Sequence, residues 1–228
     1  MADEAPNRSR ALALIERVAV ACVQSTSVDG TGVSLVTPQG NRGIVFATNT
    51  VSGKLEELQL SLGDGPCVDA ATSGNPVLLD DLRDVGEGVS LRWPAFLSEA
   101  AGMGVRSVFA LPLSIGAIAL GTMDLYRSTP GPLQPAQLSA ALLAADSMAV
   151  ALLGLNEGHS RLDDDNSDWS PHLVAVHQAA GMMRIQLGVD IQEALIRLRA
   201  TAFAEQRSIN ELAGDVVANR RRFTKEDV

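Results

Sequence analysis

The sequence predicts an α+β domain followed by a smaller all-α unit of three helices. In the first part of the chain, short strand-like runs separated by Gly- and Pro-containing turns alternate with helical repeats. This order is typical of helices packed around an antiparallel sheet. From residue 170 onward, apolar residues recur at intervals of three and four between clear helix start and stop signals. The 228 residues leave room for two domains of ordinary size.

Helical spacing of Leu12, Ile15, Val18 and Ala19 predicts a first helix over residues 10–22 that covers one face of the sheet. Two strands follow at residues 32–37 and 43–48, and the Pro and Gly between them predict an antiparallel hairpin. A second helix fits residues 51–60 and should end before a glycine.

The stretch L-G-D-G-P-C-V-D-A-A over residues 62–71 is a glycine-rich turn that runs into a short helix. One interpretation is a tight connection that needs the backbone freedom of glycine. The other is a wall of a ligand cavity, with the N–H groups of Gly65 to Cys67 exposed at the helix start. We favour the tight connection, because the spacing fits neither nucleotide-binding motif.

The sheet is completed after this turn. A strand is expected at residues 76–79, a helix at 93–101, and two strands at 105–113 and 117–127 that pair through the short turn between them. These elements give the domain its α+β character.

A long helix over residues 135–156 is apolar on two sides, which suits a helix that packs on its own domain and on a second protomer. Complete burial within one domain is the alternative. The first side consists of Leu138, Leu142, Ala145, Ala149 and Leu152, and the second of Leu143, Val150 and Leu153. Residues 157–169 carry an acidic run and are predicted to be a solvated linker.

Three helices with distinct caps are predicted in residues 170–223. Ser170 and Pro171 start the first helix and Gly188 ends it. Asp190 with a Glu three residues later and Ser208 with a Glu three residues later match capping boxes for the other two. Their apolar stripes predict one shared core: Leu173, Val176, Ala180, Met183 and Leu187, then Ile191, Ala194, Leu195, Leu198 and Ala202, then Ile209, Leu212, Ala213, Val216 and Val217. We expect Phe203 in the core and Phe223 outside it.

Composition and charge narrow the function classes. The acidic start and the polar breaks in every long apolar run predict a cytoplasmic protein outside the membrane. Cys22 and Cys67 are expected to be two buried thiols. The net charge is −9, yet residues 171–223 hold seven Arg against five acids. An acidic body with a mildly basic end suits a protein that contacts RNA at one place.

The C-terminal segment resembles an ANTAR domain, the RNA-binding module of bacterial transcription antiterminators. The motifs are H-Q-A-A-G-M at 177–182, E-A-L-I-R-L-R-A-T-A at 193–202 and E-L-A-G-D-V-V at 211–217. One departure is Ala180, where many family members carry lysine. The resemblance implies binding to stem-loops in mRNA leaders, and the candidate contacts are Gln178, Arg184, Arg197, Arg199, Arg207, Arg220, Arg221 and Arg222.

Residues 12–155 resemble the GAF sensor domains of actinobacterial GAF-ANTAR regulators. The motifs are L-G-D-G-P-C at 62–67, R-W-P-A-F at 92–96, G-V-R-S-V-F-A-L-P-L at 104–113 and L-G-T-M-D-L-Y-R at 120–127. The resemblance implies a five- or six-stranded antiparallel sheet with a small-molecule pocket on one face. Candidate pocket residues are Asp64, Gly65, Cys67 and Trp93.

These observations predict a GAF sensor over residues 10–156, the linker, and an ANTAR module over 170–223. We expect a non-enzymatic homodimer that binds RNA stem-loops and needs no cofactor or metal. No catalytic triad, phosphate-binding loop or metal motif appears in the sequence. One alternative is a ligand-sensing dimerisation or protein-interaction module without RNA binding. The other is a reductase of free methionine sulfoxide, an activity also found on the GAF fold, which would need a reactive thiolate.

Overall fold

The computed structural model describes residues 4–36, 42–156 and 171–224, and it divides into two compact units. The first contains the sheet and the helices that precede and follow it, and the second contains the three C-terminal helices. The predicted linker at 157–169 lies outside the described residues.

The first unit is built on a five-stranded antiparallel sheet with the order β2-β1-β5-β4-β3. The central strands are the most buried, and the β4–β5 hairpin lies beside β1. The strands are β1 (Gly30–Val36), β2 (Arg42–Ala47), β3 (Val77–Leu79), β4 (Ser107–Ile115) and β5 (Ile118–Arg127). Both predicted hairpins are present.

Six helices surround this sheet in the described part of the first unit. Two of them, α1 and α6, pack against each other and on the sheet, whereas α3 packs on β4 and β5. The helices are α1 (Glu4–Thr26), α2 (Thr50–Leu62), α3 (Pro66–Ser73), α4 (Glu87–Arg92), α5 (Pro94–Gly102) and α6 (Pro135–Asn156). The arrangement confirms the predicted α+β class and antiparallel sheet, and it gives the sheet five of the five or six strands expected.

Two helices of the first unit differ from the prediction. α1 begins six residues before the expected start, at Glu4 instead of Arg10. α4 was not predicted, and it has no buried residue. α4 packs only lightly on α5, so its six residues need no repeating apolar side. Without such a repeat the sequence gives no helix signal there.

The second unit consists of α7 (Pro171–Leu187), α8 (Ile191–Ala204) and α9 (Ile209–Val217), and all three helices contact one another. The Asp190 carboxylate accepts a hydrogen bond from the Glu193 N–H, as a cap requires. Ser208 instead accepts from the Asn210 N–H, one position earlier than the capping box predicts. Gly188 has a φ of 69° and ends α7 with a hydrogen bond to the Arg184 carbonyl.

The core of the second unit contains most of the predicted stripe residues, but Ile191 is 39% exposed, Val217 is only partly buried, and the Leu173 side chain lies outside the described part. The two phenylalanines are reversed. Phe203 is 57% exposed and Phe223 is 4% exposed, so both expectations for them were wrong. Phe203 is about 100° around the helix from buried Ala202, which turns its side chain off the core stripe. Phe223 returns to the core after α9 and lies under the Arg221 guanidinium, 5.3 Å from the ring centre.

Among the described residues, α6 is the one helix long and apolar enough to span a membrane by length and composition. Its buried positions include Ala141, Ala145, Met148 and Leu152, and the helix packs on α1, β4 and β5. A core helix of a globular domain has the same composition.

Candidate functional site

A buried polar cluster lies between α2 and the sheet of the first unit. Ser52, Glu56 and Gln59 follow one another at intervals of four and three, which places them on the same side of α2. All three are at most 3% exposed. Asp124 on β5 is 5% exposed and lines the same cavity. Buried polar groups are costly unless they bind each other or a ligand, so this cluster is the main chemical feature of the sheet face.

Gly32 makes room for the cluster. It pairs with Asp124 in the β1–β5 register. A Cβ atom at this position would lie 2.3 Å from Oε1 of Glu56, which is far inside van der Waals contact. The glycine therefore allows a glutamate on α2 to approach the strand backbone closely.

Gln59 connects three elements through its amide. Its Nε2 donates to Oδ2 of Asp124 at 2.6 Å, and its Oε1 accepts from the Cys67 N–H at 2.8 Å. Gly65, with a φ of 132°, passes so close that a Cβ would be 2.8 Å from the same Oε1. The glycine-rich turn is therefore a tight connection that positions the start of α3 against α2.

The cavity enclosed by this cluster has a volume of about 10 Å³. That space holds about one water molecule, whereas small-molecule pockets typically measure about 300–1,000 Å³. Its wall is formed by residues of β1, α2, α5, β4 and β5: Gly32, Ser52, Leu55, Glu56, Gln59, Phe96, Val108, Asp124, Leu125 and Tyr126.

None of the four predicted pocket residues lines this cavity. The reason is that Gln59 fills the space between the glycine-rich turn and the sheet. Gly65 and Cys67 are buried behind Gln59, and the Cys67 N–H is not exposed as the cavity interpretation required. Asp64 reaches solvent, and partial desolvation together with the charge of Asp69 raises its pKa.

Trp93 has a packing role in this structure. It is 3% exposed and stands between α4 and α5, and the Arg92 guanidinium lies 5.3 Å from its ring centre. Arg92 also pairs with Asp69 at 2.8 Å, which ties α4 to α3. From the same R-W-P-A-F motif, it is Phe96 that reaches the cavity.

The polar cluster itself was missed by the sequence reading. A signal was available, because the spacing S-x-x-x-E-x-x-Q in a helix puts three polar groups on one side. That side faces the sheet rather than solvent, and only the packing of α2 on β1 reveals this.

Neither cysteine forms a disulfide, and both are buried, as predicted. Burial raises the pKa of the Cys22 thiol to about 11, although a hydrogen bond with Thr26 lowers it slightly. Such a thiol is protonated at neutral pH. Across the described ranges, no group of three or more His, Cys, Asp or Glu side chains could hold a metal ion.

In the second unit, three of the predicted RNA contacts form ion pairs around the end of α9. Arg207 pairs with Asp215 at 2.5 Å and with Glu205 at 3.5 Å. Arg220 pairs with Asp215 at 2.8 Å, and Arg221 with Glu205 at 3.3 Å. We call these five residues the clamp, because they join the end of α9 to the turn between α8 and α9. Arg207 and Arg220 lower the pKa of Asp215, and Arg207 contributes most.

The other predicted contacts are distributed over the surface of the unit. Arg197 pairs with Glu193 one turn earlier at 2.7 Å, and Arg199 is half-buried on α8. Gln178, Arg184 and Arg222 are exposed. Among the described residues, neither Arg184 nor Arg222 has an acidic partner within 4.0 Å.

Several solved structures share the fold of the first unit. The GAF domain region of a Geobacter sulfurreducens protein aligns with a TM-score of 0.53 at 16% identity, over 66% of this chain and 99% of that one. A domain of a Sinorhizobium meliloti protein described as a two-component sensor histidine kinase aligns with 0.51 at 15% identity, over 67% and 96%.

A type II free methionine-R-sulfoxide reductase from Thermoplasma acidophilum aligns with a TM-score of 0.50 at 14% identity, over 64% of this chain and 94% of that one. At such identities the likeness concerns the fold alone. None of the curated proteins matches the chain. The family model of the GAF domain matches residues 10–152. That match extends over more than half of the sequence, from α1 to α6, and the chain therefore belongs to the GAF domain family.

Proposed function

We propose that this protein is a transcription antitermination regulator in which the GAF unit senses a signal and α7–α9 bind stem-loops in nascent mRNA. The observation that carries the proposal is the C-terminal segment itself. Its motifs resemble an ANTAR domain, and the segment forms three helices around a shared apolar core. The sensing part follows from membership of the GAF family.

The distribution of charge supports contact with RNA through the second unit alone. Residues 171–223 have a formal charge of +2 within a chain of −9. Acids already pair with Arg197, Arg207, Arg220 and Arg221. Arg184 and Arg222 are exposed, so we propose that these two arginines make the main contacts with RNA phosphates.

We also propose that the protein is a homodimer through the paired helices α1 and α6. Seven large apolar side chains on these helices are 36–68% exposed, and an open groove of about 520 Å³ runs along α1. The seven exposed side chains are Leu12, Leu14 and Val20 on α1 and Leu142, Leu143, Val150 and Leu153 on α6. Apolar patches of a few hundred Å² commonly mark interfaces, and a second copy presents the same two-helix surface in return.

A dimer of this kind could carry a signal to the RNA-binding helices. The signal must bind two arrangements of the dimer with different affinity, because a ligand with equal affinity shifts no equilibrium. A tenfold difference corresponds to about 1.4 kcal/mol. The cytoplasm, where nascent transcripts of bacteria are made, is the proposed location.

The test of RNA binding is a salt series with a two-hairpin leader RNA and the full chain. We expect affinity to fall with salt, and the double variant Arg184→Ala/Arg222→Ala to reduce the slope by up to about two, about one for each lost phosphate contact. Lys54→Ala, an exposed cation on α2, is the control and should leave affinity and slope unchanged. A wild-type protein that binds RNA no better than a duplex DNA control at low salt would contradict the proposal.

We further propose that the protein is not an enzyme, although one structure of similar fold is a methionine sulfoxide reductase. That chemistry needs an accessible thiolate, whereas Cys22 and Cys67 are buried and the Cys22 pKa is about 11. A thiol-dependent assay with free methionine sulfoxide should show no turnover above that of a Cys67→Ser variant. Turnover that disappears in this variant would establish the reductase instead.

A further inference from the structure

The outer side of α8 carries an exposed apolar stripe. Ile196 and Phe203 are seven residues apart, each is 57% exposed, and exposed Ala200 lies between them. Seven residues make about two helical turns, so the three side chains follow one line along the helix. This line is on the side away from the buried stripe of Ala194, Leu198 and Ala202. We call it the α8 stripe.

Phe203 is the aromatic residue of this unit that offers a ring to solvent. Between residues 171 and 224 the sequence holds two aromatic residues of the Phe, Tyr and Trp class, Phe203 and Phe223. Phe223 is 4% exposed, and its backbone N–H donates to Gln186, which holds it in the core. Together with Ile196 and Ala200 this ring forms a continuous exposed apolar stripe, the kind of surface at which proteins contact partners.

The positive charge of this unit favours a nucleic acid as that partner. Arg199 is on one edge of the stripe, and Arg197, which pairs with Glu193, is beyond the other. The unit is formally positive, with seven Arg against five acids between residues 171 and 223. Single-stranded loops of RNA combine phosphate charge with unstacked bases, and proteins bind such bases on aromatic side chains beside arginines.

We propose that Phe203 is a stacking platform for an unpaired base of the RNA stem-loop, with Ile196 extending the apolar surface beneath the neighbouring nucleotide. The inference rests on the proposed RNA-binding function and names the base-contacting residue within it. Stacking is tolerant of base identity, so it adds affinity for loop RNA over a fully paired helix.

The experiment places 2-aminopurine at each loop position in turn and measures its fluorescence and the affinity of the full chain. Stacking on Phe203 should quench one position. Phe203→Leu should remove that quenching and weaken loop binding about tenfold or more, without changing the salt slope, because no charge is lost. Phe203→Trp should retain both. Ile185→Ala, which trims an 84% exposed side chain on α7, is the matched control and should behave as the wild type.

The outcomes separate this inference from the function on which it rests. If the wild type binds and Phe203→Leu binds equally well, the inference is wrong and RNA binding stands. If the wild type binds no RNA at low salt, both fail. If Phe203→Leu and Ile185→Ala weaken binding equally, stacking is excluded. If Phe203→Leu dissociates the protein into monomers in sedimentation, the α8 stripe is an interface between copies and the inference is overturned.

Discussion

Close approach at single glycines determines where the polar cluster can form. Gly32 admits the Glu56 side chain against β1, and Gly65 admits the Gln59 amide against the turn before α3. The hydrogen bonds from Gln59 to Asp124 and from Cys67 to Gln59 depend on this proximity. The sequence shows these glycines, but it does not show which side chain occupies the space beside each of them.

A pair of Gly→Ala variants tests this role. Gly32→Ala should destabilise the first unit by about 1–3 kcal/mol, because the new methyl group overlaps the Cγ, Cδ and Oε1 atoms of the buried Glu56 side chain. Gly53→Ala is the matched control on α2. Its Cβ would lie 3.7 Å from the Ala47 Cβ, which is ordinary contact, so it should stabilise the helix by about 0.5–1 kcal/mol. Urea unfolding measures both, and equal effects would refute the argument.

At the scale of elements, the clamp explains why the basic end of the second unit is less available than its arginine count suggests. Asp215 on α9 accepts hydrogen bonds from Arg207 and Arg220. Glu205 pairs with Arg207 and Arg221. Two carboxylates therefore neutralise most of the charge of three arginines, and they tie the end of α9 to the preceding turn.

The lowered pKa of Asp215 gives the clamp a defined pH dependence. The folded state binds this proton less readily than the unfolded state, so the contribution to stability is present above the ordinary aspartate pKa of about 3.9 and is lost as pH falls through the lowered value. Asp215→Asn should therefore reduce the free energy of unfolding at pH 7. Below about pH 4, the stability of this variant should fall less steeply with pH than that of the wild type. Thermal unfolding across pH measures this. Asp146→Asn, which removes an exposed acid from α6, is the control for the loss of one negative charge.

At the scale of the whole molecule, the proposed function depends on association between copies and on contact with RNA. The apolar surface of α1 and α6 belongs to the first unit, whereas the α8 stripe belongs to the second. An antiterminator that binds paired stem-loops would need both surfaces. The proposals can be tested separately because no residue is shared between the two.

Association through α6 predicts a monomer when its outward face is charged. Leu143→Glu/Val150→Glu alters side chains that are 68% and 62% exposed, so the fold should be retained while dimerisation is lost. Analytical ultracentrifugation with circular dichroism measures both properties. Ile118→Glu, at a 66% exposed position next to the β4–β5 turn, should remain dimeric. A double variant that still sediments as a dimer would show that α6 is not the interface.

The sequence by itself determined most of the elements, because their signals are local. Pro171 and Gly188 bound α7, Asp190 caps α8, and two strand-like runs joined by a short turn mark the β4–β5 hairpin. Each signal acts within a few residues of its own position, so it can be read without knowledge of the partners.

Only the tertiary structure decided which side chains are available for function. Phe203 was expected inside from its hydrophobicity and is exposed, whereas Phe223 is buried by a turn of chain that follows α9. Asp124 meets Gln59 across 65 residues of sequence, and the arginines of the clamp are neutralised by acids on neighbouring turns. Burial and pairing depend on contacts between distant segments, and no local pattern specifies them.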